Sequence, residues 1–271
     1  MSATAVRVSP RWLELREPAD AEARSSELAD RLRRYLPSTG QLVIHDLGGG
    51  SGAMGRWLAP RLRGPQRWVV HDWDADLLEG AVDDPPGSAA DGAAVSVEAR
   101  RSDITRLAPD DLAGASVIVA SALLDLLTVR ELLRMLYVCA GRPMLLALTV
   151  LGRVTLFPAD LLDVRMATAF NAHQRRTTTG DRRLGPAAVT AAVEELRGAG
   201  AKVVVRPSPW RLDAAHADLA AEWLDGWVAA ACEQDPVLAA EAGAYRDRRL
   251  AQAAAGELAV TVAHADLLVL P

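Results

Sequence analysis

Val43-Ile44-His45-Asp46-Leu47-Gly48-Gly49-Gly50-Ser51-Gly52-Ala53-Met54-Gly55 is the stretch on which the fold turns. Gln41 to Leu47 reads as a buried strand, the glycines follow at once, and the pattern predicts a helix from there to about Arg61. A strand that ends in glycines and feeds a helix lets backbone pass close to a ligand, with the first helical N–H groups facing it. Two spacings overlap. Gly50-x-Gly52-x-x-Gly55 satisfies the dinucleotide pattern, and Asp72 lies about 20 residues on, where that pattern wants an acid for a ribose. Asp46-x-Gly48-x-Gly50-x-Gly52 is a different pattern, in which an acid at the strand end precedes three alternating glycines.

Working outward, the chain alternates strands and helices. A helix is predicted from about Ala21 to Leu36, with Leu28, Leu32, Tyr35 and Leu36 on one face and Pro37 as its stop. Arg67 to Asp72 is a second strand, followed by a helix through Leu77 and Leu78. The Pro- and Gly-rich segment Asp83 to Ala94 is a loop. Val95 to Arg100 and Ser116 to Ser121 are the third and fourth strands. Thr128 and Glu131 form a capping box for a helix carrying Leu132, Leu133 and Leu136, and Pro143 to Val150 is the fifth strand. Strands that read as continuous apolar runs between helices predict an α/β fold with a mainly parallel sheet covered on both faces.

After Leu151 the rhythm changes. A polar, Arg-rich segment runs from about Gly152 to Leu184, then a helix at Pro186 to Ala199 and a strand at Lys202 to Arg206. A helical pair occupies about Asp213 to Ala255, broken at Pro236, before a last strand at about Glu257 to Ala263. No internal repeat is visible.

Composition excludes several classes. The 271 residues carry a net charge of −5 and are 50% hydrophobic, which sets aside disorder and general phosphate-backbone binding. Cys139 and Cys232 are too few for a disulfide framework or a Cys-based zinc site. The five histidines are dispersed without a metal-binding spacing, so no metal is expected. No apolar leader region and no uninterrupted membrane-length run is seen, so a cytoplasmic protein is expected. Aromatic usage is skewed, with seven Trp against three Tyr and two Phe.

The Asp46–Gly52 segment, with three others in order, resembles the class I, Rossmann-like S-adenosylmethionine-dependent methyltransferases. Val69-Val70-His71-Asp72-Trp73 looks like the family's second-strand segment, whose acid holds both ribose hydroxyls. Arg101-Ser102-Asp103-Ile104 is similar to the segment that binds adenine. Ile118-Val119-Ala120-Ser121, continuing through Asp125, is similar to the region beside the methionine end and the acceptor. The resemblance implies a three-layer sandwich around a seven-stranded, mainly parallel sheet with an antiparallel last strand, preceded by an N-terminal helical segment. It implies one domain over 1–271, with a helical cap at 1–40, a cofactor half at 41–150 and a substrate-shaping half at 151–271. A helical insertion occupies about 213–256 of that last part.

The cofactor implied is S-adenosylmethionine, with S-adenosylhomocysteine as product. Its contacts by resemblance are Asp46, Gly48, Gly50, Gly52, Asp72, Trp73, Asp103, Ile104 and Ser121. Trp73 either stacks on adenine or is a buried helix-start aromatic, and Asp46 either meets the ligand or orients the glycine loop. His45 and His71, inside apolar strands, read as satisfied core histidines. Arg16 or Arg24 is placed to pair with a methionine carboxylate if the N-terminal helix covers the cofactor.

For the acceptor, Phe170-Asn171-Ala172-His173-Gln174-Arg175-Arg176 gathers hydrogen-bonding side chains without aliphatic cover. His173 is the candidate general base, with Asn171, Gln174, Asp125 and Trp210 as substrate contacts; a solvated helix end is the competing reading. The expected reaction is methyl transfer to an O or N atom of a small molecule, with no nucleic-acid or membrane partner and a homodimer left open. A cofactor-binding protein without transfer activity is the alternative from another class, and an NAD-dependent oxidoreductase the third reading.

Overall fold

Two helices precede the sheet, and the one predicted to start at about Ala21 starts only at Ser26. The structure, a computed structural model, describes residues 8–178 and 180–271; the first seven residues of the expected cap lie outside the described residues. Helix α1 spans Pro10–Ala23 and α2 spans Ser26–Tyr35. Each starts on a serine: the Ser9 hydroxyl accepts from the Trp12 N–H and that of Ser25 from the Leu28 N–H. Pro10 at the first helical position needs no partner for its nitrogen. The second cap breaks the helix at Arg24-Ser25. α2 then buries Leu28 and Leu32 completely, worth about 1.5–3 kcal/mol each by removal of apolar area from water.

Five strands follow, each with its helix or turn. They are β1 (Leu42–Leu47), α3 (Ala53–Leu58), β2 (Gln66–Asp72), α4 (Ala75–Asp83), β3 (Val95–Arg101), β4 (Val117–Ser121), α5 (Val129–Cys139) and β5 (Met144–Phe157). The Thr128–Glu131 capping box forms as predicted, starting α5. The later part holds α6 (Asp163–Gln174), a short hairpin of β6 (Thr177–Thr178) and β7 (Asp181–Arg182), α7 (Ala188–Gly198), β8 (Lys202–Pro207) and β9 (Trp210–Leu212). It ends with α8 (Ala217–Gln234), α9 (Ala239–Ala254) and β10 (Ala259–Leu270).

The main sheet has the order β3-β2-β1-β4-β5-β10-β8. β1 to β5 run parallel, and β10 is antiparallel to both β5 and β8. β9 continues the β8 edge against β10 beyond Ser208-Pro209. The register sets Asp46 beside Val70 on β2 and Val119 on β4, and Ser121 beside Ala147 on β5. The C-terminal ends of β1, β2 and β4 therefore share one edge, the usual ligand edge of an open parallel sheet.

One face of the sheet packs Leu47, Ile118 and Leu146 against α5 and α7. The other packs Ile44, Val119 and Leu145 against α2 and α3, with Trp57 and Trp68 in that core. A further apolar centre gathers Trp210, Trp223, Trp227 and Tyr245 between α6, α8, α9 and the outer half of β5.

Two boundaries differ from the sequence reading, for one reason. β5 runs to Phe157 and β10 to Leu270 because they pair with each other over almost their whole lengths. Beyond Val150 the β5 side chains alternate, with Leu156 buried and Arg153, Thr155 and Phe157 exposed, so the apolar run stops while the strand does not. The rest of the expected polar segment is largely α6. Its Asp163 carboxylate takes two hydrogen bonds from Arg249 of α9, at 2.5 and 2.7 Å, and one from the Tyr245 hydroxyl at 2.7 Å.

Candidate functional site

The glycine run is shaped by contacts that exclude side chains. Gly48, Gly50 and Gly52 have φ of 65°, 52° and 84°, a region L-residues rarely adopt. At Gly49 a Cβ would stand 2.7 Å from the Asp46 carboxyl carbon and 2.7 Å from a Val70 methyl. The loop hangs from β2: the Gly48 and Gly49 N–H groups donate to the His71 carbonyl, and that of Gly50 to the Asp72 carboxylate at 3.0 Å. The other Asp72 oxygen accepts from the Asp74 N–H at the start of α4. Asp72 thus holds the loop and the next helix together. Burial raises its pKa against the pull of those N–H donors.

Above the loop lies a cavity of about 70 Å³ whose lining includes Arg16, Asp20, Arg24, Asp46, Gly50 and Ser121. Asp46 is fully buried, and neither carboxylate oxygen has a hydrogen-bond partner among the described residues. Burial pushes its pKa up to about 7, with Arg24 pulling the other way. Arg24 is 4% exposed. Its Nη2 donates to the Ser121 hydroxyl at 3.2 Å and lies 3.7 Å from the Asp20 carboxylate, while Nε and Nη1 have no partner among the described residues. Burial lowers the guanidinium pKa. A buried carboxylate and a buried guanidinium facing one small cavity, both short of partners, are costly unless a ligand supplies what is missing.

α1 forms the roof. Trp12, Arg16 and Asp20 recur every fourth residue of the helix, with Arg24 one step on at its C-cap. Arg16 donates twice to Asp20 and lies 5.3 Å from the Trp210 ring centroid, and the Trp210 indole N–H donates to Asp20 at 2.9 Å. Trp210 also meets Trp12 and His264, at 6.1 and 5.3 Å between ring centroids. On the next face Glu17 takes two 2.6 Å hydrogen bonds from Arg56 of α3.

The backbone is strained at Ala122, which lines the cavity, and at Leu148 on β5. Ala122 and Leu148 both have positive φ, at 52° and 56°, a conformation costing about 1–3 kcal/mol for such residues. Asp266 on β10 compensates: one oxygen accepts from the Leu148 N–H at 2.8 Å and the other from the Ser25 N–H at 2.7 Å. The same carboxylate therefore fixes the β5 irregularity and the chain immediately after Arg24.

Of the residues singled out from sequence, Asp46, Gly48, Gly50 and Ser121 line the cavity, Gly52 caps α3, and Asp72 ties the loop. Trp73 is 39% exposed, so it is not a buried helix-start aromatic. Asp103 caps the turn Ile104–Arg106, accepting from the Thr105 N–H and hydroxyl at 3.0 and 2.6 Å. Asp125 is 8% exposed with Oδ1 unpartnered, and burial lifts its pKa to about 6 against the pull of Arg16 and Arg183.

The α6 group lies elsewhere. His173 hydrogen-bonds Glu233 of α8 at 3.0 Å, and Arg176 holds the same carboxylate at 2.6 Å. Asn171 donates to the Gly152 carbonyl, and the Gln174 side-chain oxygen is buried without a partner. None of these three lines the cavity. Sequence reasoning passed over Asp20 and Asp266; the fourth-residue spacing of Trp12, Arg16, Asp20 and Arg24 was the available signal for the first. No cluster of His, Cys, Asp and Glu among the described residues is arranged to hold a metal ion.

No family model and no curated protein matches the sequence. Among solved structures, the chain is similar to a SAM-dependent methyltransferase from Thiobacillus denitrificans in complex with S-adenosyl-L-homocysteine. The identity is 16% and the TM-score 0.47, over 96% of this chain and 99% of the other. It is also similar to the cyclopropane synthase MmaA2 from Mycobacterium tuberculosis, at 13% identity and a TM-score of 0.48 over 97% and 94% of the two chains. A methyltransferase from Geobacter sulfurreducens, again with S-adenosyl-L-homocysteine, gives 16% and 0.46 over 97% and 98%. At such distance the strand order itself is the stronger observation: a parallel 3-2-1-4-5 core extended by an antiparallel last strand inserted before its predecessor. This is a Rossmann-like α/β fold. In this fold the glycine loop, Asp72 and the cavity all lie at the C-terminal edge of the parallel strands.

Proposed function

We propose that the chain is an S-adenosylmethionine-dependent methyltransferase, one domain over 1–271, acting on an O or N atom of a small-molecule acceptor. The observation that carries the reading is the presence of Asp46 and Arg24, buried, opposite in charge and each short of hydrogen-bond partners among the described residues, in one cavity beside the glycine loop. An α-amino acid end supplies both complements, its ammonium to Asp46 and its carboxylate to the Arg24 Nε and Nη1. Asp72 at the end of β2 accepts from ribose hydroxyls, and Trp73, Asp103 and Ile104 on the open rim take the adenine. A nicotinamide dinucleotide has no amino acid end and leaves the Asp46–Arg24 pair without a duty.

When bound, the cofactor supplies an electrophilic methyl on a sulfonium. The chain's part is placement and proton handling. Ser121 and the strained turn at Ala122 border the methionine end, and Asp125, just beyond β4, feels the positive charges of Arg16 and Arg183. With a pKa of about 6 its carboxylate is ionised at neutral pH and able to accept a proton from a hydroxyl or ammonium acceptor. We assign the base role to Asp125 rather than His173, whose ring nitrogen is engaged by Glu233 on the outer α6–α8 seam. The acceptor is expected toward Asp125 and Trp210, the latter tied to the α1 roof through Asp20.

Calorimetry tests the cofactor half: S-adenosylmethionine and S-adenosylhomocysteine bind, NAD(H) does not, and Asp72→Ala weakens binding about tenfold to a hundredfold. Unchanged affinity in Asp72→Ala refutes the assignment. Homocysteine release over a panel of amine and hydroxyl acceptors tests turnover, with a loss of about 10²–10⁴-fold expected in Asp125→Asn at unchanged cofactor affinity. Binding without turnover on any acceptor favours a regulatory cofactor-binding protein.

A further inference from the structure

One buried polar chain in the core is not used by the cavity. His45 on β1 and His71 on β2 are 1% and 0% exposed. His45 Nδ1 lies 2.9 Å from His71 Nε2, and His71 Nδ1 lies 3.1 Å from the Ser102 hydroxyl. That hydroxyl in turn lies 3.3 Å from the Arg100 carbonyl, and the Ser102 N–H donates to the Asp72 carbonyl at 2.8 Å.

The proton positions follow from the far end. A carbonyl only accepts, so the Ser102 O–H donates to Arg100 and its oxygen accepts from His71 Nδ1–H. His71 Nε2 is then the bare nitrogen and accepts from His45 Nδ1–H. His45 Nε2 is left bare, buried and without a partner among the described residues. As a stabilising device this is poor. Neutral hydrogen bonds contribute about 1 kcal/mol each, and one buried nitrogen stays unsatisfied, where two apolar side chains would fill the same space without an orphan. The chain does, however, end on one residue of consequence. Ser102 immediately precedes Asp103 and is held both by its N–H, on the ribose-acid strand, and by its side chain, from the core.

We propose that His45 and His71 are positioning residues that set Ser102, and through it Asp103 and Ile104, at the adenine end of the cofactor site. The inference rests on the cofactor reading given above and adds to it a discriminating role for two histidines that never touch the ligand. Asp103 recognises the exocyclic amino group of adenine only if its backbone is fixed, because one carboxylate oxygen is already committed to Thr105 and the other lies 3.3 Å from Arg106.

The test compares two ligands on the same protein by calorimetry: S-adenosylhomocysteine, and S-inosylhomocysteine, in which an oxygen replaces the adenine amino group. The native chain should prefer the first by about tenfold or more, the value of one hydrogen bond to a charged acceptor. Ser102→Ala and His71→Leu should shrink that ratio at least about fivefold while affinity for the inosine analogue changes little. His71→Asn, which restores an N–H toward Ser102, should recover it. A merely structural role predicts lower melting temperature and equal loss for both ligands. An unchanged ratio in Ser102→Ala, which keeps the core intact, overturns the proposal, as does a native protein indifferent to the amino group. A native protein that binds neither ligand overturns the cofactor reading itself and the positioning role with it.

Discussion

Replacing Arg24 with Met separates ligand binding from folding at a single position. The side chain is 4% exposed, makes one 3.2 Å hydrogen bond to Ser121 and lies 3.7 Å from Asp20, with Nε and Nη1 unpartnered among the described residues. Asp20 loses little when Arg24 goes, since Arg16 and the Trp210 indole already hold it at 3.0 and 2.9 Å. Methionine fills similar space and removes a buried, under-bonded charge, so the ligand-free protein should still unfold cooperatively, with a melting temperature lowered only by what Asp46 loses as its opposite charge goes. Binding should respond otherwise. Two hydrogen bonds from a guanidinium to a carboxylate are worth about 1.5–3 kcal/mol each, so their joint loss raises Kd for S-adenosylhomocysteine by roughly 10²- to 10⁴-fold. Methylthioadenosine carries the same nucleoside without the amino acid end and should bind both proteins equally. Isothermal titration of the two ligands against both chains reads the difference directly. If Arg24→Met weakens both ligands alike, or neither, Arg24 does not meet a ligand carboxylate and the cavity has been assigned to the wrong group.

Two further outcomes are expected. Asp46 accepts from an ammonium only when ionised and its pKa is pushed up to about 7, so cofactor affinity is complete above that pH and falls toward tenfold per unit below it; Asp46→Asn should weaken binding and flatten the profile between pH 5 and about 8. In the α6–α9 seam, Arg249 is 1% exposed and pairs with Asp163. Arg249→Ala should cost about 3–5 kcal/mol in urea unfolding by leaving that carboxylate under-satisfied, with a correspondingly lower midpoint.

Much of this molecule is legible in its sequence wherever backbone geometry dictates residue type. The glycine loop could be read because positive φ and the tight approach at Gly49 admit nothing else, and Asp72 because a strand end followed by a helix start fixes its place. α1 was harder. Its inward face is Trp12, Arg16 and Asp20, of which the two charged residues satisfy each other and Trp210, so it looks like a solvated helix when only apolar periodicity is sought. The α6 cluster misled in the opposite way. His173 and Arg176 lack aliphatic cover in their own segment because their partner, Glu233, arrives from α8, 60 residues later for His173. Asp266 carried no local signal, since its meaning lies in Leu148 and Ser25, which only the sheet brings to it.

The place of β10 also bears on how the chain is made. It follows every other strand of the sheet in sequence yet inserts between β5 and β8. Until it is synthesised, those two strands present unpaired edges, the surfaces on which nascent chains most readily mispair with one another. The Leu148 N–H and the Ser25 N–H that caps the approach to Arg24 wait on the same strand, because both are held by Asp266. The polar roof and the strained backbone at Leu148 are therefore completed together, in a single late step of chain assembly, and a ribosome stalled short of β10 would leave a cofactor half that is fully translated but has no closed place for its ligand.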